Sequence, residues 1–230
     1  AKLITKNFCD KCNAVIAPTL KTKEVLEEYE IKPPISVIPT GIKIDHFNPA
    51  CYTIEQRNEL RKEYGISPEA PVLAYVGRVA KEKSLDVVIR QLPELFRRLP
   101  NAKFVAVGDG PARSGLEDLV SDLGIQDKVI FTGLVPYSKI GLYYQIGDAF
   151  ISASTTETQG LTYIEAMAAG LPVIAKKDES ILDVVNDGVN GAIFVNDEEV
   201  PEIVARILTD NEYRKQLSEN ALQTAQRFSS

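Results

Sequence analysis

The chain is poor in the residues that most often carry metal, redox or acid–base chemistry. Its 230 residues include one histidine and three cysteines, and its apolar runs are short. No run approaches the ~20 apolar residues that cross a bilayer, and no signal-peptide pattern is present, so neither a membrane span nor a secretion leader is expected. Positive charge is also in the minority, with 26 Lys and Arg against 32 Asp and Glu and a net charge of -6. No basic run could neutralise a row of phosphates, which argues against nucleic acid and against an anionic membrane surface as partners of these residues. The expected location is the cytoplasm. Any contact with the inner face of the cell membrane would come from other parts of the full-length protein.

Cys9, Cys12 and Cys51 are an odd number in a chain too large to need disulfide staples, which suits a reducing compartment. Cys9 and Cys12 form a CxxC. A zinc site would need a second pair or histidines at ligand spacing, and a redox motif would open a helix after a strand, so plain packing is expected. His46, the lone histidine, belongs to no motif that would pair it with a catalytic carboxylate or hydroxyl.

At 44% hydrophobic, the chain can bury a sizeable core. Short β-branched runs alternate with longer segments of helical period, the pattern of parallel βαβ units. Strands are expected at Asn13 to Ala17, Ile35 to Pro39, Val72 to Gly77, Lys103 to Gly108, Lys128 to Thr132, Ala149 to Ala153, Pro172 to Ala175 and Ala192 to Val195. Helices are expected at Leu85 to Arg98, Gly115 to Leu123, Glu198 to Leu208 and Asn211 to Gln226. The fold class is α/β, a Rossmann-like doubly wound parallel sheet of about six strands in the main domain, covered on both faces. The proline- and glycine-rich stretch from Lys32 to Pro49 reads as a crossing between domains. Residues 1–40 are therefore expected to be the remnant of an N-terminal domain, and residues 41–230 a C-terminal ligand-binding domain.

The most informative stretch is ASTTETQGLTYIEAMAAGLPVIA, from Ala153 to Ala175: strand end, polar loop, amphipathic helix, a stop at Gly170 and another buried strand. Ligands of open α/β sheets bind at the carboxyl ends of strands, where Thr155 to Gly160 falls. Gly160 would let a bound group approach the backbone. The amides of Gly160, Leu161 and Thr162 would form an anion site suited to a pyrophosphate. Glu157 and Glu165 bracket this loop. A glycosidase pair fits poorly, since such carboxylates face each other across a scissile bond; ionised carboxylates gripping sugar hydroxyls, or a solvated loop residue and a surface helix residue, are the other readings. Arg78 and Lys83 follow a strand ending at Gly77 and could neutralise a diphosphate, or simply be solvated. Gly108-Asp109-Gly110-Pro111 is a poor dinucleotide fingerprint, because Arg113 occupies the third glycine position and Pro111 is expected to open the next helix. Gly110 remains a candidate turn at the cleft edge. Gly133-Leu134 offers backbone groups to a base edge.

Taken together, GRVAKEKSL, FVAVGDGPAR, VIFTGLVP and ETQGLTYIEAMAAGLPVIA resemble consecutive blocks of the C-terminal domain of retaining GT-B glycosyltransferases of family 4, over nearly the whole chain from Ile38 onward. The resemblance implies that Glu157 helps hold the donor sugar, Glu165 the ribose hydroxyls, and Arg78 with Lys83 the diphosphate, with Glu157, Lys83 and Arg78 supporting the transition state. It implies substrate contacts from Gly77, Gly110, Leu134, Thr158, Gln159, Gly160, Leu161 and Thr162, with no metal and no cofactor beyond the UDP-sugar substrate. The loop wording, with FCDKCNAVIAPT and VIPTGI, is similar to bacterial 1,2-diacylglycerol 3-glucosyltransferases, implying UDP-glucose as donor and diacylglycerol as acceptor, the acceptor held by an N-terminal domain. Another nucleotide sugar, another acceptor or a non-catalytic nucleotide-binding module are the alternatives.

Overall fold

The computed structural model describes residues 2–229. The chain opens with α1 (Lys2–Cys9), β1 (Val15–Ala17), α2 (Leu20–Glu28) and β2 (Ile35–Val37). β1 and β2 pair in parallel with each other and with no further strand among the described residues. After the crossing come α3 (Ile54–Glu63), β3 (Val72–Val76), α4 (Leu85–Arg98), β4 (Lys103–Val107), α5 (Arg113–Asp122), β5 (Val129–Gly133), α6 (Tyr137–Tyr144), β6 (Ala149–Ser152), α7 (Leu161–Ala168), β7 (Val173–Lys176), β8 (Gly191–Phe194), α8 (Val200–Thr209) and α9 (Asn211–Gln226). Each strand expected from the sequence forms, with ends moved by one or two residues.

Six of these strands make one parallel sheet in the order β5-β4-β3-β6-β7-β8. This is the doubly wound order in which the chain starts in the middle, builds outward one way, then returns and builds outward the other way. The central strands are apolar on both faces because helices cover both: every residue of β3 and β6 is buried. One layer packs α4 and α8 with Leu85, Val88, Ile89, Leu92, Leu95 and Phe96 of α4 pointing inward at helical spacing. The other layer is built on α7 and α9, around Tyr144, Phe150, Tyr163 and Ile164.

Two local features set the site. α5 begins at Arg113 rather than at Pro111; Pro111 and Ala112 form a turn first, because the Ala112 amide bonds back to the Val79 carbonyl at 3.1 Å and holds the entry to the helix against the β3 loop. α7 stops at Gly170, whose φ of 76° is left-handed, and the Leu171 amide reaches back to the Ala166 carbonyl. Beneath the sheet, the buried Arg61 of α3 donates to the carbonyls of Ile146, Pro68 and Ala70 and pairs with Asp148, which also accepts the Val72 amide. A buried guanidinium is tolerable here because its donors are met. The chain end returns to the crossing: the Ile42 amide bonds the Phe228 carbonyl at 2.9 Å.

Candidate functional site

The strand order fixes where a ligand can enter. β3 and β6 are adjacent, yet their following connections leave in opposite directions, so a crevice opens between the loops beyond their carboxyl ends. The β3 loop carries Arg78 and Lys83, and the β6 loop carries Glu157. Lys83 Nζ donates to Glu157 Oε1 at 2.7 Å, so the pair spans the crevice. Both side chains are largely shielded, at 24% and 11% exposed, which makes this more than a screened surface contact. A second tie reinforces it, as Thr156 Oγ1 donates to the Glu82 carbonyl at 3.2 Å.

The β6 loop then turns into α7. Gly160 caps the helix with φ 66°, the left-handed region, and a Cβ there would stand 2.5 Å from the Tyr163 ring. Only glycine meets both demands. In the first turn of α7 the amides of Leu161 and Thr162 have no acceptor within the helix, and the helix dipole adds positive potential at the same point. A cavity of about 350 Å³ lies here, lined by Lys83 and residues 156–162, Glu157 among them, with Pro18 of the β1–α2 turn and Thr40 of the crossing completing its wall. An ammonium group, unmet amides and a carboxylate that can accept hydroxyls thus face one space.

Glu165 lies apart from this cavity. It is partly buried on α7, and Oε2 accepts the Tyr144 hydroxyl at 2.8 Å. Burial pushes its carboxyl above the usual range, opposed by the Tyr144 hydrogen bond and the His46 ring nearby. The reading of Glu165 as a plain surface residue does not survive this placement. His46 bonds the Tyr137 carbonyl at 2.8 Å and stacks on its ring, 5.2 Å between centroids. The three cysteines are free.

The other candidates ring the crevice. Arg78 is exposed and pairs with Glu82 within its own loop. Tyr75 donates to the Arg78 carbonyl at 2.9 Å and steadies that turn. Gly77 and Gly110 belong to a tight backbone crossing. The Val79 amide bonds the Asp109 carbonyl, and a Cβ on Gly110 would meet the Val79 carbonyl oxygen at 2.3 Å, so the glycine serves close packing between the β3 and β4 loops. Leu134, after β5, is 84% exposed and leaves its backbone open. Thr158 is exposed at the loop tip, whereas Gln159 is buried and commits both ends of its amide to the backbone of Thr40, beside it in the cavity wall.

Sequence reasoning missed Tyr163, Thr40 and Pro18. The Tyr163 hydroxyl is fully buried, with the Ser152 side chain near it but no partner at full hydrogen-bond geometry among the described residues, and burial raises its pKa. A tyrosine among the apolar, inward-facing positions of α7 is the available signal. Thr40 and Pro18 had none, since their place at the cavity depends on how the crossing and the β1–α2 turn fold back against the loop.

Residues 56–224 match the family described as glycosyl transferases group 1, and the chain belongs to that family. An alpha-monoglucosyldiacylglycerol synthase of Acholeplasma laidlawii is 36% identical over 95% of this chain and 55% of its own length. The protein of that name from Streptococcus pneumoniae is 34% identical over 90% of this chain and 47% of its own. The chain thus spans about half the length of these curated relatives. The Anabaena HepE structure solved with UDP and glucose superposes with a TM-score of 0.88 at 22% identity, covering 99% of this chain and 63% of that one. The parallel six-stranded sheet is therefore one half of a GT-B fold.

Proposed function

We propose that this chain is the donor-binding half of a retaining glycosyltransferase that moves glucose from UDP-glucose to diacylglycerol. The observation that carries the reading is the Lys83–Glu157 pair set across the crevice in front of the α7 amides. A nucleoside diphosphate brings negative charge, which Lys83 and the amides of Gly160, Leu161 and Thr162 meet, with Arg78 swinging from Glu82 to join them. Glu157 accepts hydroxyls of the donor sugar, and Glu165 the ribose hydroxyls once a ligand replaces Tyr144 as its partner. The open backbone at Leu134 takes the base edge, with Gly77, Gly110 and Thr158 shaping the approach.

As the bond from the sugar to the diphosphate breaks, charge grows on the leaving phosphate. A fixed ammonium and fixed amides stabilise that charge more in the transition state than in the ground state, which is where acceleration originates. No metal or cofactor is assigned to this step. Residues 1–40 are assigned to the edge of an N-terminal domain that supplies the acceptor site, and the whole protein to the cytoplasmic face of the membrane, where its lipid acceptor lies. The names of the relatives support the sugar and the acceptor. The test is transfer by the full-length protein from labelled UDP-glucose into diacylglycerol vesicles, followed by determination of the anomeric configuration. An α-glucosyl lipid supports the reading, and transfer from another nucleotide sugar alone, or none, overturns it.

A further inference from the structure

Gln159 sits in the loop beside the cavity, yet both ends of its amide are used elsewhere. Thr40 N–H donates to Gln159 Oε1 at 3.1 Å, and Gln159 Nε2 donates to the Thr40 carbonyl at 3.1 Å. The side chain imitates a neighbouring strand, satisfying both backbone groups of one residue 119 positions away in sequence. Thr40 lies in the crossing between the β1–β2 unit and the main sheet. That stretch is otherwise held at its two ends, by the Ile38 amide on the Ala17 carbonyl and the Ile42 amide on the Phe228 carbonyl, each at 2.9 Å. Between them Pro39 has no amide to give. A second contact ties the same units together nearby, where Lys21 of α2 meets Asp178 at 3.2 Å. Thr40 is also a wall of the cavity that Glu157 and Gly160 line.

We propose that Gln159 is a positioning residue that locks the ligand loop to the domain crossing, so that order in residues 156–160 and the placement of residues 38–42 form a single equilibrium. The proposal rests on reading the cavity as the donor site. It implies that a ligand which orders the loop also holds the crossing, and by thermodynamic reciprocity a held crossing raises affinity for the ligand. Leucine at 159 removes both bonds at similar size. Glutamate keeps the acceptor for the Thr40 amide but cannot donate to the Thr40 carbonyl.

Amide hydrogen exchange read by NMR on this chain, with and without UDP, tests it, with the core amide of Val105 as the reference that the fold is intact. Without ligand, Gln159→Leu is expected to speed exchange at Thr40 about fivefold, the factor given by one hydrogen bond of ordinary net strength. The amides of residues 156–162 should accelerate with it, and Gln159→Glu should fall between. Faster exchange at Thr40 with the loop unchanged, or no change at Thr40, overturns the proposal. Adding UDP should slow Thr40 exchange in the unsubstituted chain and not in Gln159→Leu, a response that a merely structural glutamine would not give. If Gln159→Leu fails to fold, Gln159→Glu and the unsubstituted chain carry the same comparison. If UDP does not bind, the donor reading fails, while the ligand-free comparison still decides the role of Gln159.

Discussion

At the residue scale, Gly160 and Glu165 make sharp and separate predictions. Any side chain at Gly160 must take left-handed backbone and push against the Tyr163 ring. Gly160→Ala is therefore expected to cost about 1–3 kcal/mol of stability, measured by denaturant unfolding, and to weaken UDP binding as well. Glu165 responds to pH. Because burial raises its carboxyl above the usual 4.5, the folded chain holds that proton more tightly than the unfolded chain. Its contribution to stability is thus present in full below the unfolded value and is lost as pH rises through the folded one. Gln at this position stays neutral, so melting curves should show Glu165→Gln gaining on the unsubstituted chain as pH rises from about 4 to about 7. UDP binding should move the other way over the same window, since only the ionised carboxylate accepts two ribose hydroxyls.

At the scale of elements, the sequence was most informative where burial decides. The β-branched runs of β3, β4, β6 and β7 read correctly because strands covered on both faces need little but apolar bulk. Gly170 read correctly as the end of α7, since a left-handed stop is a local demand. Contacts between elements were not legible. Lys83 and Glu157 are 74 positions apart and Tyr144 and Glu165 are 21 apart, so their pairing follows from sheet order, which no local pattern encodes. Gln159 reads as a ligand residue by its loop, and only the return of the crossing past that loop shows where its amide goes. Arg61 was equally silent, looking like one more surface charge on a polar helix. It fastens α3 to the loops that enter the two central strands, β3 and β6, at their amino ends. Arg61→Ala leaves those buried carbonyls unmet and strips Asp148 of one of its two cations, Arg57 remaining, and is expected to cost about 3–5 kcal/mol in chemical denaturation.

At the scale of the whole molecule, a doubly wound sheet explains why so few residues carry the site. The crevice at β3 and β6 exists whatever the loops contain, and in the function proposed for it the chemistry enters through Lys83, Glu157 and the start of α7. The small β1–β2 unit is a different case. A two-stranded sheet is marginal by itself, and Leu3, Ile4, Phe8, Ile16 and Ile38 are exposed on and around it. That surface fits the assignment of residues 1–40 to the edge of a further domain, and it places the crossing at Thr40 next to the cavity.

The most direct test of the central claim is calorimetric titration of this chain with UDP, UDP-glucose, UDP-galactose and GDP-mannose, repeated on Lys83→Ala and Glu165→Ala. The account predicts that uridine nucleotides bind, that UDP-glucose is preferred over the other sugars, and that each substitution weakens binding at least tenfold, or ~1.4 kcal/mol. Binding of UDP unaffected by both substitutions, or no nucleotide binding at all, would contradict it.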